Sequence, residues 1–253
     1  MPNQAGVLRA EIGHGVAHLR WEAPRTRNAI GRAQADELSE ELERLADDDS
    51  VAVVALGLGQ RPFCSGWDSR DLAGLAGADE QALAGFFTHG RRLLAALSAL
   101  PQPTVAAVGG AALGFGAALL SRCDLVLAAD DALFGLPEIA RGFPPATVAP
   151  ELLSVMPARE VRAWALSGQA VTAARAAEAG LVHRCCPADE VDTVAAALAA
   201  AMAQYGPEAV RATKRLVADL AAMPEADRSA FGVRSAVAQF SRAPRVPGNQ
   251  EGS

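Results

Sequence analysis

Residues 103–144 read PTVAAVGGAALGFGAALLSRCDLVLAADDALFGLPEIARGFP. Thr104 to Val108 is a short apolar run that suits a strand. Gly109 to Gly116 forms a glycine-rich turn, and Ala117 to Arg122 suits a helix. This order leaves main-chain amides exposed at a helix start, where they and the helix dipole can hydrogen-bond a developing negative oxygen. Further along, Glu138 is the carboxylate of the apolar run FGLPEI. Apolar surroundings raise a carboxyl pKa, which makes Glu138 a candidate general base near neutral pH.

Before this stretch the chain starts with a hairpin. Val7 to Ile12 and Val16 to Trp21 are strand-like, and Gly13-His14-Gly15 is a suitable tight turn. Glu22 to Ile30 is a polar loop. Arg32 to Leu45 carries apolar residues at helical spacing, and Val51 to Leu58 reads as a buried strand. The loop GQRPFCSGWD follows, then a long helix over Glu80 to Leu100 that ends at Pro101 and Pro103.

Beyond the central stretch, Thr147 to Val155 and Arg159 to Ser167 suit helices. Thr172 is a natural N-cap for Ala173 to Ala179, and Gly180 stops that helix. From Ala188 onward the pattern is almost wholly helical, broken at Gly206-Pro207 and Met223-Pro224. Strands alternate with helices up to about residue 187, which implies an α/β core over 1–187. A helical appendage then covers 188–244, and a disordered tail covers 245–253.

Composition narrows the function classes. The chain has 253 residues, 51% of them hydrophobic and 5% aromatic, so Ala, Leu and Val supply most of the packing. A net charge of −6 argues against a general polyanion-binding surface, and no nucleic-acid partner is expected. The first residues, MPNQAGVLRAE, lack the apolar core of a signal peptide, which points to the cytoplasm. Apolar stretches such as Val194 to Ala203 are too short for a membrane span. Cys64, Cys123, Cys185 and Cys186 lack C-x-x-C spacing, so neither a disulfide framework nor a zinc site is expected. His14 and His18 fall in the hairpin, His89 lies on a helix without an evident partner, and His183 has no metal-ligand spacing. No metal centre is expected.

Several motifs can be set aside. Gly114-Phe115-Gly116 is followed by Leu119 where a dinucleotide-binding fingerprint needs its third glycine. The chain has no G-x-x-x-x-G-K-[ST], and Ser65 lies in Cys64-Ser65-Gly66, outside any nucleophile elbow. Taken alone, Trp67 reads rather as a packing aromatic and the glycines as a tight corner.

In combination, Phe63-Cys64-Ser65-Gly66-Trp67-Asp68, the central stretch and the later GQAVTAARAAEAGLV resemble the enoyl-CoA hydratase/isomerase, or crotonase, superfamily. EAPRTRNAI resembles the loop before that family's first long helix. The resemblance runs from about Val7 to about Val217. It implies a spiral of ββα units with C-terminal helices that build a homotrimer or a dimer of trimers. It also implies an acyl-CoA thioester ligand, with CoA part of the substrate and no separate cofactor.

The family's thioester oxygen is held by two main-chain amides, which here correspond to Trp67 and Phe115. Substrate contacts are expected from Ser65, Gly66, Asp68 and Gly114. Arg25 and Arg27 are candidates for the CoA phosphates, although a solvated basic loop explains them as well. The bulk of Phe115, where the family usually has glycine, is expected to narrow the acyl pocket. GFPPATVAP departs from the family's I-P-G-x-G-G and should reshape the pocket wall.

Family hydratases commonly place two glutamates around one water. Glu138 matches one of them, whereas the other position holds Ala118, which cannot ionise. A single base suits double-bond migration in a 3-enoyl thioester, Δ3,Δ2-enoyl-CoA isomerisation. The alternatives are hydration, with Asp68, Asp71 or Glu80 entering as the second acid, and a non-catalytic acyl-CoA-binding homologue. Ile139 to Pro150 offers no carboxylate for a nucleophilic route of the dehalogenase kind.

Overall fold

The computed structural model describes residues 6–242, so the expectation for the tail at 245–253 lies outside the described residues. The chain opens with the antiparallel pair β1 (Val7–Gly13) and β2 (Val16–Glu22), whose register pairs Gly13 with Val16. His14 and Gly15 make the two-residue turn with φ of 50° and 77°, the left-handed geometry that matches strand twist. Along β2, Val16, Ala17, Leu19 and Trp21 are buried, whereas most of β1 is exposed. This hairpin therefore forms one edge of the structure.

The remaining strands wind in a spiral. After α1 (Arg32–Ala46) come β3 (Val53–Leu56), α2 (Ser69–Ala73) and α3 (Glu80–Ala99). The next turn holds β4 (Thr104–Val108), β5 (Ala112–Leu113) and α4 (Phe115–Leu120), followed by β6 (Leu125–Ala129) and β7 (Leu133–Gly135). A 3-10 turn over Pro137–Arg141, α5 (Ala149–Leu152), α6 (Ala158–Ser167), β8 (Val171–Thr172), α7 (Ala173–Glu178) and β9 (Arg184–Cys186) complete the core order. One sheet runs β1-β2-β3-β4-β6-β9, with every pair after the first hairpin parallel. A second, smaller sheet runs β5-β7-β8. Strands β4 and β6 lie in the large sheet, and each is followed by its partner, β5 or β7, in the small one. That alternation is the repeat of the spiral.

Residues Val53–Leu56, Thr104–Val108 and Val126–Ala129 are buried throughout, as expected of parallel strands covered on both faces. Many of them are alanines and valines, which lets the helices approach closely. C-terminal to the strands come α8 (Val191–Ala203), α9 (Pro207–Ala222) and α10 (Glu225–Arg242). Val191, Ala195 and Ala199 of α8 are buried in the core. Lys214 ties α9 to the sheet: its Nζ donates to Gln102 O at 3.0 Å and to Asp124 Oδ2 at 2.7 Å. Among the described residues no helix is long and apolar enough to cross a membrane.

Two local expectations need correction. Helix α4 begins at Phe115 rather than Ala117, because Gly114 takes φ 52° and ψ −118° and turns the chain two residues early. His89 does have a partner, since its Nδ1 lies 2.7 Å from Asp36 Oδ1 across the α1–α3 contact. The four cysteines are free. Burial pushes the Cys64 and Cys123 thiols up to about 12.

Candidate active site

The C-terminal ends of β3 and β4 lead into the two loops that carry the candidate oxyanion groups. The first is Phe63–Asp68. Cys64 forms a parallel bridge with Ala112, donating to Ala111 O at 3.1 Å and accepting from Leu113 N at 2.9 Å. Trp67 forms another bridge with Ile30: Ile30 N donates to Gly66 O, and Asp68 N donates to Ile30 O, both at 2.9 Å. In such a bridge the flanking groups of Gly66 and Asp68 face the partner strand, so the N–H of Trp67 itself faces the other way. No hydrogen-bond partner holds that N–H among the described residues.

The second loop brings its own unpaired amide alongside. Gly114 N donates to Gly135 O at 2.9 Å, extending the small sheet by one residue. Phe115 is then the first residue of α4, where an N–H has no intrahelical acceptor. Gly66 has φ 101°, and a Cβ there would lie 3.1 Å from Leu113 O and 3.8 Å from Phe115 N. The two chains thus meet at van der Waals distance, with the Trp67 and Phe115 amides on neighbouring segments. Because α4 has only six residues, its dipole adds little, and the placement of the amides matters most.

Glu138 arrives from the 3-10 turn after β7. A Cβ on Gly114 would stand 2.7 Å from Glu138 Oε1, which puts the carboxylate directly against the glycine turn. Its Oε2 is buried and, among the described residues, has no hydrogen-bond partner. Burial raises the Glu138 pKa above the ordinary glutamate value, while its own main-chain amide and the nearby Arg141 pull weakly the other way.

These groups line a cleft of about 560 Å³, together with Ser65, Gly66, Leu72, Leu75, Leu83 and Phe143. Among the described residues Glu138 is the only carboxylate in its lining, and Arg141 the only cation. The segment 143–147 forms part of the wall, where its prolines were expected to act. Ala118 lies on α4, fully buried and outside this lining. An adjoining polar cavity of about 420 Å³ holds Arg25, Arg27, Asp68 and Arg70 and shares Ser65, Trp67 and Arg141 with the cleft.

The candidate second acids are engaged elsewhere. Asp68 caps α2, accepting from Arg70 N at 2.8 Å, and pairs with the Arg70 side chain at 2.6 Å. That guanidinium holds its carboxyl below the usual range. Asp71 accepts from Arg32 N at 2.7 Å. Glu80 sits in the exposed first turn of α3. None of the three lines the cleft. Ser65 Oγ donates to Thr26 O at 3.0 Å and so ties this loop to the Arg25–Arg27 turn.

Sequence reasoning missed Arg141, which bridges the two cavities, and the apolar side of α2 and α3. The spacing of Arg141 three residues after Glu138, one turn along the 3-10 segment, was the available signal.

The resemblance drawn from the motifs extends to whole-chain comparison. A family model described as enoyl-CoA hydratase/isomerase matches residues 11–248. A 2,3-dehydroadipyl-CoA hydratase of Escherichia coli (strain K12) is 37% identical over 199 residues, 78% of this chain and 76% of that one. A putative enoyl-CoA hydratase of Thermus thermophilus is 33% identical over 220 residues, 86% and 85% of the two chains. Among solved structures, a putative enoyl-CoA hydratase/isomerase (crotonase) from Legionella pneumophila superposes with TM-score 0.87 at 26% identity, covering 94% of this chain and 92% of that one. An enoyl-CoA hydratase from Mycobacterium smegmatis gives TM-score 0.86 at 25% identity, covering 93% and 91%. With the spiral of ββα units, the fold and the sequence agree: this chain belongs to the enoyl-CoA hydratase/isomerase family and has the crotonase fold.

Proposed function

We propose that the protein is an acyl-CoA enzyme of the Δ3,Δ2-enoyl-CoA isomerase type, with Glu138 as its one acid–base group. The observation that carries this reading is that, among the described residues, Glu138 is the single carboxylate in the cleft lining. The Glu138 carboxylate removes a proton from the α-carbon of a 3-enoyl thioester. The C–H electron pair moves into a dienolate whose charge rests on the thioester oxygen, where the Trp67 and Phe115 N–H groups donate to it. The Glu138 carboxyl then delivers the proton to the γ-carbon, and the product is the 2-enoyl thioester. The raised pKa of Glu138 suits a group that must hold a proton briefly and release it.

CoA enters as part of the substrate, and no separate cofactor takes part. Its thioester end lies at Gly66 and Gly114, and its polar portion extends into the cavity with Arg25, Arg27 and Asp68. The α/β core up to residue 187 and the helices α8 to α10 that follow it play different parts, the latter assembling a homotrimer or a dimer of trimers in the cytoplasm.

Hydration is the second reading, and the names of the relatives favour it: the Escherichia coli protein is a 2,3-dehydroadipyl-CoA hydratase. Wild type and Glu138→Gln should be assayed on 3-enoyl-CoA and 2-enoyl-CoA esters of several lengths. Migration of the double bond by wild type, lost in the variant, is the expected result. Faster water addition to the 2-enoyl esters would replace isomerase with hydratase. Equal turnover by the two proteins would remove Glu138 as the base, and binding without turnover would indicate a non-catalytic homologue.

A further inference from the structure

Beside the cleft lies a second, solvent-open chamber of about 290 Å³, bordered by Ala84, Thr88, Arg91 and Leu94 of α3 and by Pro150 and Glu151. Trp67, Phe87, Phe115 and Thr147 line both spaces, so these four side chains form the partition. Its centre is an aromatic stack. The Trp67 and Phe115 rings lie 4.3 Å apart between centroids with an interplanar angle of 25°, and Phe86 leans on the indole at 4.8 Å and 51°.

Gly90 makes the stack possible. A Cβ on this α3 residue would come within 2.4 Å of Trp67 Cζ2 and 3.0 Å of Phe115 Cε2. The indole therefore seats in a notch that any other residue would fill. Among the described residues its buried Nε1 has no hydrogen-bond partner, so packing holds the ring in place.

We propose that Trp67, seated on Gly90 and stacked on Phe115, determines acyl length by sealing the cleft from the chamber along α3. This rests on the acyl-CoA reading above. Bulk at Phe115 does not simply narrow the main cleft: together with Trp67 it closes the way into the adjacent one. An apolar chain longer than the cleft meets the stack. Removing the indole joins the two spaces and lets each further methylene be buried, about fourfold in affinity apiece. Truncation at Trp67 keeps its main-chain N–H, which the Ile30 bridge positions independently of the side chain.

The test is calorimetric titration of wild type, Trp67→Ala and the milder Trp67→Leu with CoA and with butyryl-, octanoyl- and dodecanoyl-CoA. Wild-type affinity should level off along the series. It should keep rising in both variants, with the dodecanoyl-to-butyryl ratio increased about tenfold or more in Trp67→Ala. Trp67→Ala/Gly90→Leu, which refills the notch, should return the ratio toward wild type. An unchanged ratio in folded Trp67→Ala or Trp67→Leu overturns the proposal, as does a double variant that still prefers the long chain. If wild type binds no CoA ester, the acyl-CoA reading falls and takes this proposal with it. Intact binding with unaltered length preference removes the partition alone.

Discussion

Gly114 and Glu138 are in steric contact: a β-carbon on the glycine would lie 2.7 Å from the carboxylate Oε1. Gly114 also takes φ 52° and ψ −118°, a conformation that side chains resist. One residue thus turns the chain into α4 and leaves room for the candidate base. Gly114→Ala should lose about 1–3 kcal/mol of stability to backbone strain. It should lose about a hundredfold in turnover because the carboxylate must move. Urea denaturation beside steady-state kinetics measures both. A variant with wild-type turnover would mean that Glu138 tolerates displacement.

Glu138 should impose a pH signature on both activity and stability. Activity requires the ionised form, so kcat should fall with decreasing pH along a limb placed above the ordinary glutamate range. For stability the sign is the reverse of a salt-bridged acid. Burial disfavours the charged form, so at neutral pH wild type carries a penalty that Glu138→Gln lacks. The variant should melt higher at pH 7. Its advantage should shrink as pH falls through the raised pKa and vanish below the unfolded-state value. Thermal melts across that range check this, and an advantage independent of pH would contradict it.

Ala118 is buried in the core and lies outside the cleft lining. Ala118→Glu should therefore cost about 3 kcal/mol or more at neutral pH, because the added carboxylate would be buried without a partner. It should bring no gain in water addition to 2-enoyl-CoA. A stable variant with new hydratase activity would show that position 118 can reach the substrate.

Lys214 links the C-terminal helices to the sheet through Asp124, which also accepts from Thr104 N at 2.8 Å and Thr104 Oγ1 at 2.9 Å. The side chains are 19% and 33% exposed, so solvent weakens the pair without removing it. Lys214→Met should lower stability toward the lower end of about 1.5–3 kcal/mol, with turnover unchanged below the melting transition. Denaturant midpoints give the first quantity and initial rates the second.

The strands Thr104–Val108 and Val16–Trp21, the helix Arg32–Leu45 and the breaks at Gly206-Pro207 and Met223-Pro224 were legible because each depends on local signals. Apolar periodicity, a turn of suitable residues or a helix stop can all be read within a few positions. The very short strands β5, β7 and β8 were not legible, since two or three residues carry no period. The start of α4 was misplaced by two residues because the unusual backbone of Gly114 comes from the turn around it, not from residue type alone. His89 seemed unpartnered for a different reason: Asp36 lies 53 residues away and meets it only when α1 packs on α3.

The sequence by itself determined the family, the alternation of strand and helix, and the residues Trp67, Phe115, Glu138 and Ala118 on which any chemistry must be argued. Those conclusions need only residue identity, order and spacing. Tertiary structure decided the rest. It set the Trp67 and Phe115 amides on neighbouring segments, buried one oxygen of Glu138 without a partner among the described residues, and committed Asp68 and Asp71 to helix caps and ion pairs away from the cleft. It also showed that Phe115 stacks on Trp67 over Gly90, 23 residues further along the chain than the tryptophan. Direction, burial and contact between distant segments arise from packing in three dimensions, and a one-dimensional spacing carries no record of them.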